Sequence, residues 1–419
     1  MVEAAEGGTT YLGENRGRTK DKTMAVTVIG GHTLEHLYAF VFPLLVTAMY
    51  ADLGLLPIQA GILSAVRQLT GGLTSIGIGF FVDLYQHRSG QVLAFSMVLM
   101  GVGHLLVAVS PTYSMILAAL FVASIGVALW HPPALGLLAQ RFPRQKGLYI
   151  SLHRSTGSAG DLIGPLVAGV LLGFVGWRWV MGGITPLALL LAVVVLVLLW
   201  NVSPPKPGPV ALVSKLKAQL VGLKQAFRGT GMWSIFTVSA ARGMGDRSYV
   251  FFLPLYLREE LDKSFLIVAI HVALIAAPGI VAGPWFGALS DRIGRRSIIA
   301  FLMIVSVVLS LTTVLGAGGI GMTASVALFG LFHSSVNSLT QAAAIDEVEG
   351  RGLDATFMGI MWGGNFIFGA ASALAVGWLV QSYGWQTPFY CASGLFFFGF
   401  LASLVMPASQ APQLRPAQE

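Results

Sequence analysis

The sequence predicts an all-α membrane protein of twelve transmembrane helices arranged as two pseudo-symmetric six-helix halves. Three observations carry that expectation. Of 419 residues, 55% are apolar and only 10% are charged, more apolar surface than a soluble core of one chain this long encloses. Apolar runs of helix-spanning length number twelve, six on each side of a polar middle stretch. Residues of the first half also recur in the second: Gly176 and Trp177 stand 208 residues before Gly384 and Trp385, as a tandem repeat requires.

In order, the runs cover about 24–50, 57–83, 90–110, 113–140, 147–175, 179–201, 231–257, 264–289, 297–317, 319–345, 353–381 and 385–406. Each matches the ~20 helical residues that cross ~30 Å of hydrocarbon at ~1.5 Å per residue. Residues 1–22 are polar and lack the apolar centre and cleavage site of a signal peptide, so a flexible cytoplasmic tail is expected there. The first half then occupies 23–201. The connection at 202–230 opens with SPPKPGP, which ends the sixth helix because proline cannot continue it. It goes on as VSKLKAQLVGLKQAFRG, with Val213, Leu216, Leu220, Leu223 and Phe227 at helical spacing among basic residues. Two readings stay open: a basic amphipathic helix on the inner membrane surface, or a partly ordered linker. The second half occupies 231–407, and a cytoplasmic tail 408–419.

The net charge of +7 could suggest nucleic acid, but the basic residues lie in short loops and tails, where charge orients a membrane protein. With both termini inside, 18 lysines and arginines fall on the cytoplasmic side and only Arg178, Arg258 and Lys263 outside. The expectation is a multi-pass protein of the bacterial plasma membrane, with the bilayer as partner and no nucleic acid. The single cysteine, Cys391, excludes a disulfide framework and a cysteine metal site.

Between the eighth and ninth runs stands GALSDRIGRR, with Gly287, Asp291, Arg292, Gly294, Arg295 and Arg296. A weaker copy, GFFVDLYQHRSG, lies 208 residues earlier; Gly79 and Asp83 fall in register, Leu84 replaces the arginine, and Arg88 supplies the firm charge. The decapeptide resembles the loop signature of the major facilitator superfamily. That resemblance implies inverted three-helix repeats within each half, a central cavity, and halves that rock to give alternating access to a small-molecule substrate. It also implies a monomer without cofactor.

Charged residues inside spans are costly and are therefore functional candidates. His32, Glu35 and His36 sit at i, i+3 and i+4 on one face of the first span. The seventh span repeats the pattern 211 residues later: Glu35, His36, Tyr38, Phe40, Pro43 and Leu44 align with Asp246, Arg247, Tyr249, Phe251, Pro254 and Leu255. In members of the superfamily these two helices line the cavity, so the resemblance turns these residues toward it; matched ion pairs that only pin helices are the other reading. His104 and His271 read as hydrogen-bonded structural histidines. His131 and His333 occupy equivalent helices, as Trp130-His131 and Phe332-His333, and Pro132 and Pro133 free backbone carbonyls beside the first of them, which suits a cavity wall. In the fifth span, after His153 and Arg154, the small residues Gly157, Gly160, Gly164 and Gly169 with Pro165 allow close helix packing. The same stretch resembles the antiporter signature G-x-x-x-G-P-x-x-G-G, with Ala168 in place of one glycine, and favours export over uptake. GHTLEHLY, WHPPA and HRSTGSAG resemble the fosmidomycin-resistance-like branch over the amino half, although the fourth span lacks the arginine that many proton-coupled exporters carry.

The expected substrate contacts are Tyr38, Arg67, Trp130, His131, Arg154, Arg247, Tyr249, His333 and Asn365. Within spans, Arg67, Arg154, Arg242 and Arg247 outnumber Glu35, Asp161 and Asp246, which points to a small organic anion held by guanidinium forks. The rival is an amphiphilic uncharged drug on Phe40, Trp130, Phe332 and Trp362. Protons are expected to couple through His32, Glu35, His36, Asp161 and Asp246. Glu35 is the better switch, since its neighbour His36 can change charge whereas Asp246 has Arg247. No nucleophile–base pair marks an enzyme, and no spacing matches a known metal motif. Metal uptake through the imidazoles and a non-transporting sensor remain alternatives.

Overall fold

The computed structural model describes residues 3–200, 202, 212–347 and 354–408. Asp83 lies among those whose side chains are not described, and residues 203–211 fall outside the described set.

Twelve helical rods follow the twelve apolar runs. The first half holds α1 (Glu3–Leu53), α2 (Pro57–Tyr85), α3 (Ser89–Val109), α4 (Tyr113–Arg141), α5 (Lys146–Leu171) and α6 (Trp177–Leu199). After α7 (Leu212–Ala226) in the connection, the seventh rod is α8 (Thr230–Asp246), prolonged through α9 (Phe252–Leu255) by π-helical turns at Arg247–Phe251 and Tyr256–Glu260. Such turns interrupt α-helices mostly where function demands it. The eighth rod is broken at Ala277–Pro278 into α10 (Phe265–Ala276) and α11 (Gly279–Ile293), and α12 (Arg295–Leu315), α13 (Ile320–Glu347), α14 (Asp354–Tyr383) and α15 (Thr387–Ser403) complete the half. One expectation changes: the polar amino-terminal stretch, expected as a flexible tail, continues the first helix back to Glu3. No proline interrupts that stretch, and its glycines, Gly7, Gly8, Gly13 and Gly17, weaken a helix without removing a backbone donor.

Among the described residues, seven stretches are long and apolar enough by themselves to cross a membrane, including Asp21–Leu53, Tyr113–Arg141 and Arg295–Leu315. The rods that fall short include α2, α5 and α8, which carry Arg67, Arg154 with Asp161, and Arg242 with Asp246. Their low hydropathy reflects the polar groups they bring inside.

Within the first half α1 packs on α5 and α6, and α3 on α4 and α6; within the second, α12 packs on α13 and α15, and α8 on α14 and α15. The halves meet along α2 with α14 and along α5 with α10, two contacts that the pseudo-symmetry exchanges. Lipid offers no hydrophobic drive between helices, so close backbone approach must supply the attraction. A methyl added at Gly61 would strike the carbonyl of Ala373, and at Gly363 it would meet Ile76 and the carbonyl of Gly72. The end that carries the Gly54 turn is closed between halves: Gly169 abuts Ala269 and Phe265, and the rings of Tyr50 and Trp385 meet edge to face at 5.6 Å. At the opposite end the decapeptide turns at Gly294, whose φ of 95° lies in the region that only glycine enters without strain. There Arg295 binds Asp291 at 3.2 Å and Asp346 at 2.5 Å.

Candidate functional site

The polar residues of the spans gather into two clusters, one per half, built by the same helices. In the first half α1 carries Glu35 almost fully buried, and three imidazoles surround its Oε2: His36 Nε2 at 3.6 Å, His131 Nε2 of α4 at 3.7 Å and His32 Nε2 at 3.9 Å. Oε2 has no hydrogen-bond partner. The histidines are oriented from behind by α5: His36 Nδ1 donates to Asp161 Oδ1 at 2.7 Å and His32 Nδ1 to the carbonyl of His153 at 2.5 Å. The His153 ring stacks on His32 with centroids 3.7 Å apart. Gly157 makes this possible, because a Cβ there would fall 2.5 Å from His32 Cε1 and 2.9 Å from His36 Cδ2.

In the second half Asp246 of α8 is the counterpart of Glu35, and His333 of α13 that of His131. Here the carboxylate is saturated: Arg242 Nη2 stands 2.6 Å from Oδ2 and His333 Nε2 2.5 Å from Oδ1, with Arg247 farther off at 3.9 Å. Sequence reasoning paired Asp246 with its neighbour Arg247; the dominant partner is Arg242, whose i, i+4 spacing places it directly over the acid on one helix face. His333 is therefore a hydrogen-bond partner of Asp246 in a packed interior, stacked on Phe329 at 4.6 Å.

Between the clusters lie two arginines of the first half. Arg67 of α2 donates to the carbonyl of Ala39 at 3.0 Å, lies over the Phe42 ring, and forms no ion pair among the described residues. It stands within electrostatic reach of Glu35 and of Arg247. Arg154 reaches across the seam to Ser338 and Gln341, both at 3.4 Å.

Four other expected substrate contacts are turned elsewhere in this structure. Trp130 is fully buried against Gly31 inside the first half, because only a glycine leaves room for its ring. Tyr38 is buried beside His104. Tyr249 is bonded to Thr313 at 2.7 Å and stacked on Phe329. Asn365 donates to the carbonyl of Ser239 at 3.0 Å and so ties α14 to α8. Large aromatic and amide groups on a helix fill whichever side the packing offers, and the sequence does not state which. Trp362 of α14, by contrast, meets the His131 ring across the seam at 5.2 Å. The site set also missed His153, whose two ring nitrogens are buried without partners.

Two six-helix halves meeting along a seam lined with buried charge define a multi-pass membrane transporter. The family model of the Major Facilitator Superfamily matches residues 31–369, and the chain belongs to that superfamily. An uncharacterized MFS-type transporter, YcxA of Bacillus subtilis (strain 168), is 26% identical, with 84% of each chain covered. The fosmidomycin resistance protein of Escherichia coli (strain K12) is 24% identical over 67% of this chain and 69% of its own. Among solved structures, a bacterial homologue of the human lysosomal transporter Spinster, in an inward-facing and unoccupied conformation, superposes with a TM-score of 0.74 at 13% identity, covering 92% of this chain and 97% of that one.

Proposed function

We propose that the protein is a proton-coupled secondary transporter of the bacterial inner membrane, both termini cytoplasmic, that exports a small organic anion by alternating access. The observation that carries the coupling is the contrast between the two acids. Asp246 is held by Arg242 and His333 at 2.5–2.6 Å, whereas Glu35 is buried with three imidazoles and no direct partner. A buried carboxylate without a partner is costly when ionised. Proton uptake by this group or its imidazoles relieves that cost, and the cluster touches the other half through Trp362, so its charge bears on how the halves meet.

Arg67 and Arg247 support the choice of an anion. They repel each other across the seam, and a carboxylate or phosphonate between them replaces that repulsion with charge-assisted hydrogen bonds from both halves. Export draws support from the antiporter-like run on α5 and from the name of the fosmidomycin resistance protein. Lipid and protons are then the partners, with no cofactor. In proteoliposomes, an imposed pH gradient should drive flux of anionic compounds, with fosmidomycin the first to try, and Arg247→Gln should abolish it while sparing any flux of uncharged amphiphiles. Gradient-driven anion flux unchanged in Arg247→Gln would remove the anion reading.

A further inference from the structure

The first-half cluster has the geometry of a cation site of a more specific kind than a proton acceptor. The carbonyl of His153 can only accept, and so can Asp161 in its ionised form, in which the Nδ1 atoms of His32 and His36 that meet them at 2.5 Å and 2.7 Å carry the hydrogens. In their neutral form both rings then present bare Nε2 lone pairs to the same point, where the unpartnered Glu35 Oε2 adds another. His131 Nε2 completes the group, and all four ligand atoms lie within 4.8 Å of one another. Lone pairs converging in a buried space repel unless something positive sits among them.

We infer that His32, Glu35, His36 and His131 form a binding site for one divalent transition-metal ion of the Zn²⁺ or Co²⁺ class. Imidazole and carboxylate are the ligands that suit such ions, and calcium or magnesium would demand more oxygens. A tetrahedral ion with bonds of about 2.1 Å separates its ligands by roughly 3.4 Å. The three nitrogens stand 3.6, 3.7 and 3.9 Å from Oε2, a few tenths of an ångström beyond that separation, and the four ligand atoms, spread over as much as 4.8 Å, draw together as the ion binds. The backing is also that of a metal site: imidazoles that ligate through one nitrogen commonly donate the other to a carboxylate or a carbonyl, which fixes ring and tautomer. The ligands come from α1 and α4, while the backing groups come from α5. No linear motif exists because helix packing assembles the set.

The site uses groups that the proton-coupling reading also uses, yet the two stand or fall separately. The test uses full-length, tag-free protein purified in detergent. Equilibrium dialysis against Zn²⁺ should give one ion per chain, and Co²⁺ should give the intense visible absorption of a tetrahedral centre. Glu35→Gln and His131→Gln should each weaken binding at least about a hundredfold, and Asp161→Ala, which removes only the backing of His36, about 10- to 100-fold. His271→Gln, whose ring bonds Thr323 and the carbonyl of Ile267 elsewhere, should bind as wild type. Metal-free melting temperatures certify that each variant is folded. Wild-type protein that binds no stoichiometric ion, or binding that His131→Gln leaves intact or His271→Gln destroys, overturns the inference. Absence of metal binding together with loss of gradient-driven flux in Glu35→Gln would discard the metal site and keep the proton reading; metal binding with gradient-driven flux intact in Glu35→Gln would do the reverse.

Discussion

Substituting Gly157 by alanine separates the stability of the bundle from the geometry of its polar cluster. The added methyl would sit 2.5 Å from His32 Cε1, 2.8 Å from His32 Nδ1 and 2.9 Å from His36 Cδ2, where van der Waals contact needs about 3.4–4 Å. Neither ring can simply swing aside, since one is bonded to the His153 carbonyl and the other to Asp161. Overpacking of this kind costs about 1–3 kcal/mol, and alanine recovers about 1 kcal/mol in a helix interior. The net loss of about 0–2 kcal/mol leaves the protein folded. The imidazoles, however, must shift relative to Glu35 by roughly 1 Å, a displacement that can cost a functional site up to ~100-fold. Gradient-driven flux in proteoliposomes should therefore fall at least tenfold in Gly157→Ala, with a melting temperature close to wild type. Gly164→Ala provides the comparison, because its methyl would meet nothing closer than the Leu37 carbonyl and Val41, both at 3.1 Å, and should retain most of the flux. Equal loss in both variants, or full activity in Gly157→Ala, would refute the claim that imidazole placement around Glu35 controls transport.

The two acids should respond differently to neutralisation. Asp246→Asn strands Arg242 in the interior, a loss of about 3–5 kcal/mol for a buried pair, so its melting temperature should fall further than that of Glu35→Gln; an equal or smaller fall would contradict the contrast drawn between them. Arg67→Gln should raise the apparent KM for an anionic substrate by about tenfold or more, the worth of one charged hydrogen bond, and leave kcat nearly unchanged; an unaltered KM would take Arg67 out of the binding site. Arg295→Gln releases Asp291 and Asp346, both about half exposed, and ion pairs of that kind contribute about 0–1 kcal/mol each. Its melting temperature should hold while substrate exchange changes rate, and a large thermal loss would make the decapeptide a structural clamp instead.

Helix number, the two halves and the decapeptide turn were legible because they rest on local signals: apolar length, a repeated offset, and glycine where the backbone turns. The face shared by His32, Glu35 and His36 was legible for the same reason, since i, i+3 and i+4 positions superpose on any helix. What joins helices was not. His131 reaches Glu35 only because α4 packs near α1, and Asp161 backs His36 only because Gly157 and Gly160 let α5 approach; neither relation leaves a periodic trace. The partner of Asp246 was readable at i−4 in Arg242, but the adjacent Arg247 drew the pairing. Tyr38, Trp130 and Tyr249 were expected at the cavity because their helices line it; in this structure their rings pack inside their own halves, on faces that the sequence does not distinguish.

The most direct measurement is substrate movement by Glu35→Gln in proteoliposomes under two regimes. One is an imposed pH gradient, and the other is equilibrium exchange of labelled for unlabelled substrate at equal pH. If Glu35 and its imidazoles carry the coupling proton, the variant loses gradient-driven flux and keeps exchange, because the halves still rock and the arginines still bind. A variant that still concentrates or expels substrate in response to the gradient would contradict the account and move coupling to Asp161 or His131.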